Sequence, residues 1–103
     1  MKKLILIAML FTSFVAQAED YCMELSGGAR AVMHVRQTGL SARIQHEIVD
    51  QTIASIDRDV MHLIIKDAYT QPLEKTKETK ENAIQNFDVY WFLKCQRAQN
   101  GFY

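Results

Sequence analysis

The chain has two cysteines, one proline and four glycines in 103 residues, and its twelve basic side chains are matched by twelve acidic ones. Each shortage excludes something. The cysteines, Cys22 and Cys95, are far apart, which rules out the C-x-x-C arrangement of active dithiols. The balanced charge excludes the basic stripe from which nucleic-acid binders draw their non-specific affinity, so no nucleic-acid partner is expected. Lys75, Lys77 and Lys80 are interleaved with Glu74, Glu78 and Glu81 and read as a solvated helix start. Asp-Gly and Gly-Asn turns are scarce, which argues against hairpins.

What is present is concentrated first at the N-terminus. Lys2 and Lys3 precede an apolar run from Leu4 to Val15, followed by Ala16-Gln17-Ala18 and the acidic pair Glu19-Asp20. The run is too short to span a bilayer, and small residues stand at the two positions read by a signal peptidase. Residues 1–18 are therefore expected to be a cleaved signal peptide, and 19–103 a single domain of 85 residues. No cysteine directly follows the apolar run, so no lipid anchor and no stable membrane insertion after cleavage are expected. Loss of Lys2 and Lys3 leaves ten basic against twelve acidic side chains, a net charge of −2.

A domain of this size has a thin core, and a covalent staple adds a large share of its stability. In an oxidising compartment, periplasmic or secreted, Cys22 and Cys95 are expected to form one structural bridge. Closing so long a loop contributes about 4 kcal/mol on the chain-entropy argument.

Beyond Tyr21 the pattern is helical. Cys22, Leu25, Ala29, Val32 and Met33 recur at spacings of three and four, with Asp20 as the expected N-cap and Gly39 as the left-handed stop. Ser26-Gly27-Gly28 interrupts this stripe and reads as a close helix approach or a bend. Ser41 opens a second helix with Ile44, Ile48 and Val49 expected inward and Arg43, Gln45, Glu47 and Asp50 outward. Thr52 to Ile56 extends that helix or connects it to the next. Asp57 is the expected N-cap of a third helix to about Tyr69, with Val60, Met61, Leu63, Ile64, Ile65 and Ala68 forming a wide apolar arc, and Pro72 beyond it. Thr76 caps the last helix, on which Ile84, Phe87, Trp91, Cys95 and Ala98 mark the buried face. Val60 to Ile65 passes for a strand by composition, but it sits within a longer capped pattern. The expected fold is all-α: a small four-helix domain whose first and last helices are joined by one disulfide.

Chemistry is sparse. His34, His46 and His62 show neither H-x-x-x-H nor H-E-x-x-H spacing, so no metal or other cofactor is expected. His46 and Asp50 share a helical face, which completes a metal site only with a distant residue. Ser26, Ser41 and Ser55 lack a nucleophile-elbow context, and Asp57 and Asp59 suit a helix start. No catalytic residue is assigned. Arg36 is expected to complement the last helical turn, with an acidic partner as the second reading. The most unusual concentration is aromatic: Phe87, Tyr90, Trp91 and Phe92, then Phe102 and Tyr103. Phe87 and Trp91 belong to the core by spacing, leaving Tyr90, Phe92, Phe102 and Tyr103 as a candidate partner surface.

The early cysteine, Arg36-Gln37-x-Gly39-x-Ser41, Ala68-Tyr69-x-x-Pro72 and the aromatic last helix with Phe87 and Cys95 resemble a group of small exported two-cysteine helical proteins of unknown function from proteobacteria and their prophages. The resemblance implies compartment and architecture, and no activity. The expected function is that of a non-enzymatic periplasmic binding or interaction protein with an unidentified protein partner. Its alternatives are a periplasmic stress chaperone, an inhibitor of an envelope enzyme and, least favoured, a small metal-dependent hydrolase using His46, Asp50 and His62.

Overall fold

Gly39 ends the first helix with a φ of +91°, a backbone conformation that side-chain-bearing residues avoid. The amides of Thr38 and Gly39 fold back onto the carbonyls of Val35 and Arg36 at 3.0 Å, closing the last turn. Two residues later Ser41 starts the next helix, its hydroxyl accepting from the Ile44 amide. The computed structural model describes residues 2–53 and 55–100, with side chains for 20–53 and 57–100. Among the described residues there are four helices: α1 (Lys2–Gln37), α2 (Ala42–Thr52), α3 (Ser55–Ala68) and α4 (Lys77–Asn100). No strand occurs among the described residues. Thr76 caps α4, its hydroxyl accepting from the Thr79 amide at 3.1 Å.

Two expected caps are not used. α1 runs unbroken from Lys2 through Asp20, so in the uncut chain Asp20 lies inside a helix. α3 begins at Ser55, which puts Asp57 in the first turn, where its charge still suits the macrodipole. Helical backbone also continues through Ser26-Gly27-Gly28. A Cβ built on Gly28 would stand 3.4 Å from the Met61 sulfur, so the close approach of α3 at this position accounts for one glycine of the pair.

α1 packs along α4 and against α3, and α2 packs on α3. The core gathers Ala29, Val32 and Met33 from α1, Val49 from α2, Ile64, Ile65 and Ala68 from α3, and Ile84, Phe87 and Trp91 from α4. Cys22 and Cys95 are bonded, with Cα atoms 5.5 Å apart, and tie α1 to the last turns of α4. Arg30 and Asp88 pair across the same two helices at 3.3 Å. The Trp91 indole N–H donates to Asp67 at 3.1 Å, which satisfies the one polar atom of a buried ring.

Among the described residues no helix is long and apolar enough to cross a membrane. Ala98, expected on the buried face of α4, is exposed, as is Leu63 on α3. The larger correction is the orientation of α2. Gln45 is buried, whereas Ile44 and Ile48 are 37% and 49% exposed. Gln45 Nε2 donates to the Val32 carbonyl at 3.1 Å and to the Tyr69 hydroxyl at 2.8 Å, and that hydroxyl donates to the Leu40 carbonyl at 2.6 Å. A buried amide with its donors used costs little, and Val49 follows it one turn later into the core.

Candidate functional site

The outward face of α4 is the first candidate. Ile84, Phe87, Trp91 and Cys95 turn inward. A step of 100° per residue then carries Val89 and Leu93 to the opposite side, with Tyr90 and Phe92 to either flank. Val89 and Tyr90 are each 51% exposed and Leu93 44%, while Phe92 is half-buried. Along the helix this patch continues as Asn82, Asn86, Val89, Leu93 and Gln96, at alternating steps of four and three and without a charged side chain. That is the spacing of a seam that packs against another helix. Tyr90 also lines a groove of about 690 Å³ with Gln71, Thr79, Asn82 and Asn86. The Lys94 ammonium sits 5.8 Å from the Tyr90 ring and 4.6 Å from the Trp91 ring, holding the two aromatics edge to face. Of the four residues expected to form a partner surface, Tyr90 is exposed here, Phe92 is partly covered, and Phe102 and Tyr103 lie outside the described residues.

The second candidate is a set of side chains brought together by the packing of α2 on α3. His46 Nδ1 and His62 Nδ1 stand 2.6 Å apart, with ring centroids 4.8 Å apart and planes inclined by 28°. His62 Nε2 is 2.8 Å from Asp50 Oδ1. The chain Asp50, His62, His46 is thus continuous in hydrogen bonds. Beside it lies a hollow of about 470 Å³ lined by His46, Asp59, His62, Leu63 and Lys66. Among the described residues no group of three His, Cys, Asp or Glu side chains is placed to hold a metal ion. His34, on α1, is exposed and takes no part. Composition and spacing place His46 and Asp50 on one face of α2 but give no register between α2 and α3; the sequence groups His62 with them only in its least favoured reading, and the tertiary structure brings the three side chains together.

The two short motifs around Arg36 and Tyr69 meet in space and form a lock. Arg36 donates to the Gln71 carbonyl at 3.1 Å and lies 4.9 Å over the Tyr69 ring. Gln37 donates to the Pro72 carbonyl at 3.0 Å and accepts from the Glu74 amide at 2.8 Å. Arg36 therefore holds a carbonyl and an aromatic face in place of an acidic partner. Together these bonds pin the segment between α3 and α4 to the end of α1, which sets where α4 begins. The groups accounting for the motifs are all internal to the fold, so they explain its shape and assign no ligand. No known protein family matches the chain, and no curated protein or solved structure is found to be similar to it.

Proposed function

We propose that the chain is an exported, non-enzymatic binding protein that receives an amphipathic helix of a partner protein on the outward face of α4. The observation that carries this is the uncharged seam with Val89 and Leu93 exposed at its centre and Tyr90 exposed on its flank. A helix polar on its free side would carry Lys or Glu at these positions, as α4 does at Lys77, Glu78, Lys80 and Glu81. Phe92 borders the seam, and Phe102 and Tyr103, outside the described residues, belong to the proposed partner surface on the sequence alone. Export rests on the signal-peptide pattern of residues 1–18 and on the Cys22–Cys95 bond, which suits an oxidising compartment such as the periplasm. Kinship with the small exported proteins of proteobacteria and prophages is part of the same proposal.

A chaperone and an enzyme inhibitor both fit such a surface. A chaperone would suppress aggregation of several unrelated clients, whereas an inhibitor would form a stoichiometric complex with one enzyme. The test is capture from periplasmic extract with the oxidised protein as bait, compared with a Val89→Ser, Leu93→Ser variant. Both positions are solvent-facing, so the variant keeps its melting temperature while recovery of the partner falls at least tenfold. Undiminished recovery with the variant overturns the seam as the binding surface.

A further inference from the structure

His46 and His62 come from different helices, face each other through the same ring nitrogen, and carry a carboxylate on one outer edge. An Nδ1 to Nδ1 separation of 2.6 Å requires that one of the two nitrogens bear a proton and the other a lone pair. Asp50 fixes the outer nitrogen of His62. A carboxylate accepts, so a proton sits on His62 Nε2, 2.8 Å from Asp50 Oδ1; in the uncharged form of the ring, Nδ1 then carries the lone pair, directed at His46. This is the orientation that an outer carboxylate imposes on metal-binding histidines, raising the basicity of the ligating nitrogen. When the His46 proton moves from Nδ1 to Nε2, a second lone pair points at the same place.

The distance fits a modest opening. Imidazole nitrogens bind zinc-like ions at about 2.0–2.1 Å. For N–metal–N angles between square and tetrahedral, the two nitrogens then stand roughly 2.9–3.4 Å apart, which side-chain rotation supplies from 2.6 Å. The hollow lined by Asp59, Leu63 and Lys66 provides an approach from solvent. Of the charges facing it, Asp59 favours a cation and Lys66 opposes one. We propose that His46 and His62 bind one divalent transition ion of zinc or copper(II) type through their Nδ1 atoms, with Asp50 orienting His62 and water filling the remaining positions. Imidazole donors select such ions over magnesium and calcium, which prefer oxygen ligands. With two protein ligands the site is open to solvent on its remaining positions. This inference is independent of the partner seam on α4.

The test titrates tag-free, oxidised protein with zinc chloride and, separately, with copper(II) chloride, using magnesium as the control. One zinc per chain is expected, with the ring protons of His46 and His62 shifting together in NMR spectra while those of His34 stay fixed. His46→Ala and His62→Ala should each weaken binding at least tenfold, and Asp50→Asn about tenfold to a hundredfold. The NMR readout uses the native chain, so it decides the matter even where a variant fails to fold. Shifts confined to His34, equal binding by His46→Ala, or no saturable binding of either ion would reduce the pair to a hydrogen bond between two helices and overturn the proposal.

Discussion

Gly27 and Gly39 occupy opposite conformational situations, and substitution separates them. A Cβ at Gly27 meets nothing within 4 Å, and the residue lies inside α1, so Gly27→Ala exchanges a poor helix former for the best one. It should stabilise the fold by about 0.5–1 kcal/mol. Gly39 has a φ of +91°, where alanine is strained, so Gly39→Ala should cost about 1–2 kcal/mol although nothing crowds it either. Urea denaturation of the two variants checks both signs. Gly39 announces itself in the sequence because it follows the last periodic residue of α1. Gln45 does not: next to Ile44 and four residues before Val49, it looks like the polar edge of an apolar stripe. Its burial depends on Tyr69, twenty-four residues away, and on the Val32 carbonyl. Remote partners of this kind leave no local trace, and the same holds for His62 meeting His46.

At the level of helices, two of the four caps expected from local chemistry are used and two, Asp20 and Asp57, are not. Ser41 and Thr76 cap α2 and α4 through bonds to amides three residues on, a pattern written in four consecutive residues. The buried faces of α1 and α4 follow from three-and-four spacing. In α2 two adjacent stripes compete, one with Ile44 and Ile48 and one with Gln45 and Val49, and the less apolar one wins because the Val32 carbonyl of α1 and the Tyr69 hydroxyl, just beyond α3, satisfy its amide. α1 raises a different question, because its backbone is helical on both sides of Ala18. Cleavage there would leave Glu19 and Asp20 at the new helix start, where negative charge is favourable, and Cys22 in the first turn, tied to α4. The bridge would then prevent fraying of an end that has just been created. Intact mass of the exported protein is expected to show a chain starting at Glu19; a chain retaining residues 1–18 contradicts this.

Taken as a whole, the molecule has a stapled pair and an attached helix. α1 and α4 share the disulfide, the Arg30–Asp88 pair and much of the core, whereas α2 leans on α3 and leaves Ile44 and Ile48 in solvent. A bridge across a separation of 73 residues acts chiefly by restricting the unfolded chain, contributing about 4 kcal/mol. Replacing both cysteines by serine should therefore lower the melting temperature by roughly 15–30 °C at 4–8 °C per kcal/mol for a domain of this size. The helical spectrum should persist at low temperature. Hydrogen exchange distinguishes this mechanism from local loosening. Amides in the buried turns of α4 around Phe87 and Trp91 exchange only when the whole domain opens, so their protection should fall by the full free energy of the lost bridge. Amides of α2 exchange when that helix detaches, an event in which the bridge stays intact, and their protection should change little. If the α2 amides lose as much protection as those of α4, α2 opens only with the whole fold, and the division into a stapled pair and an attached helix is wrong.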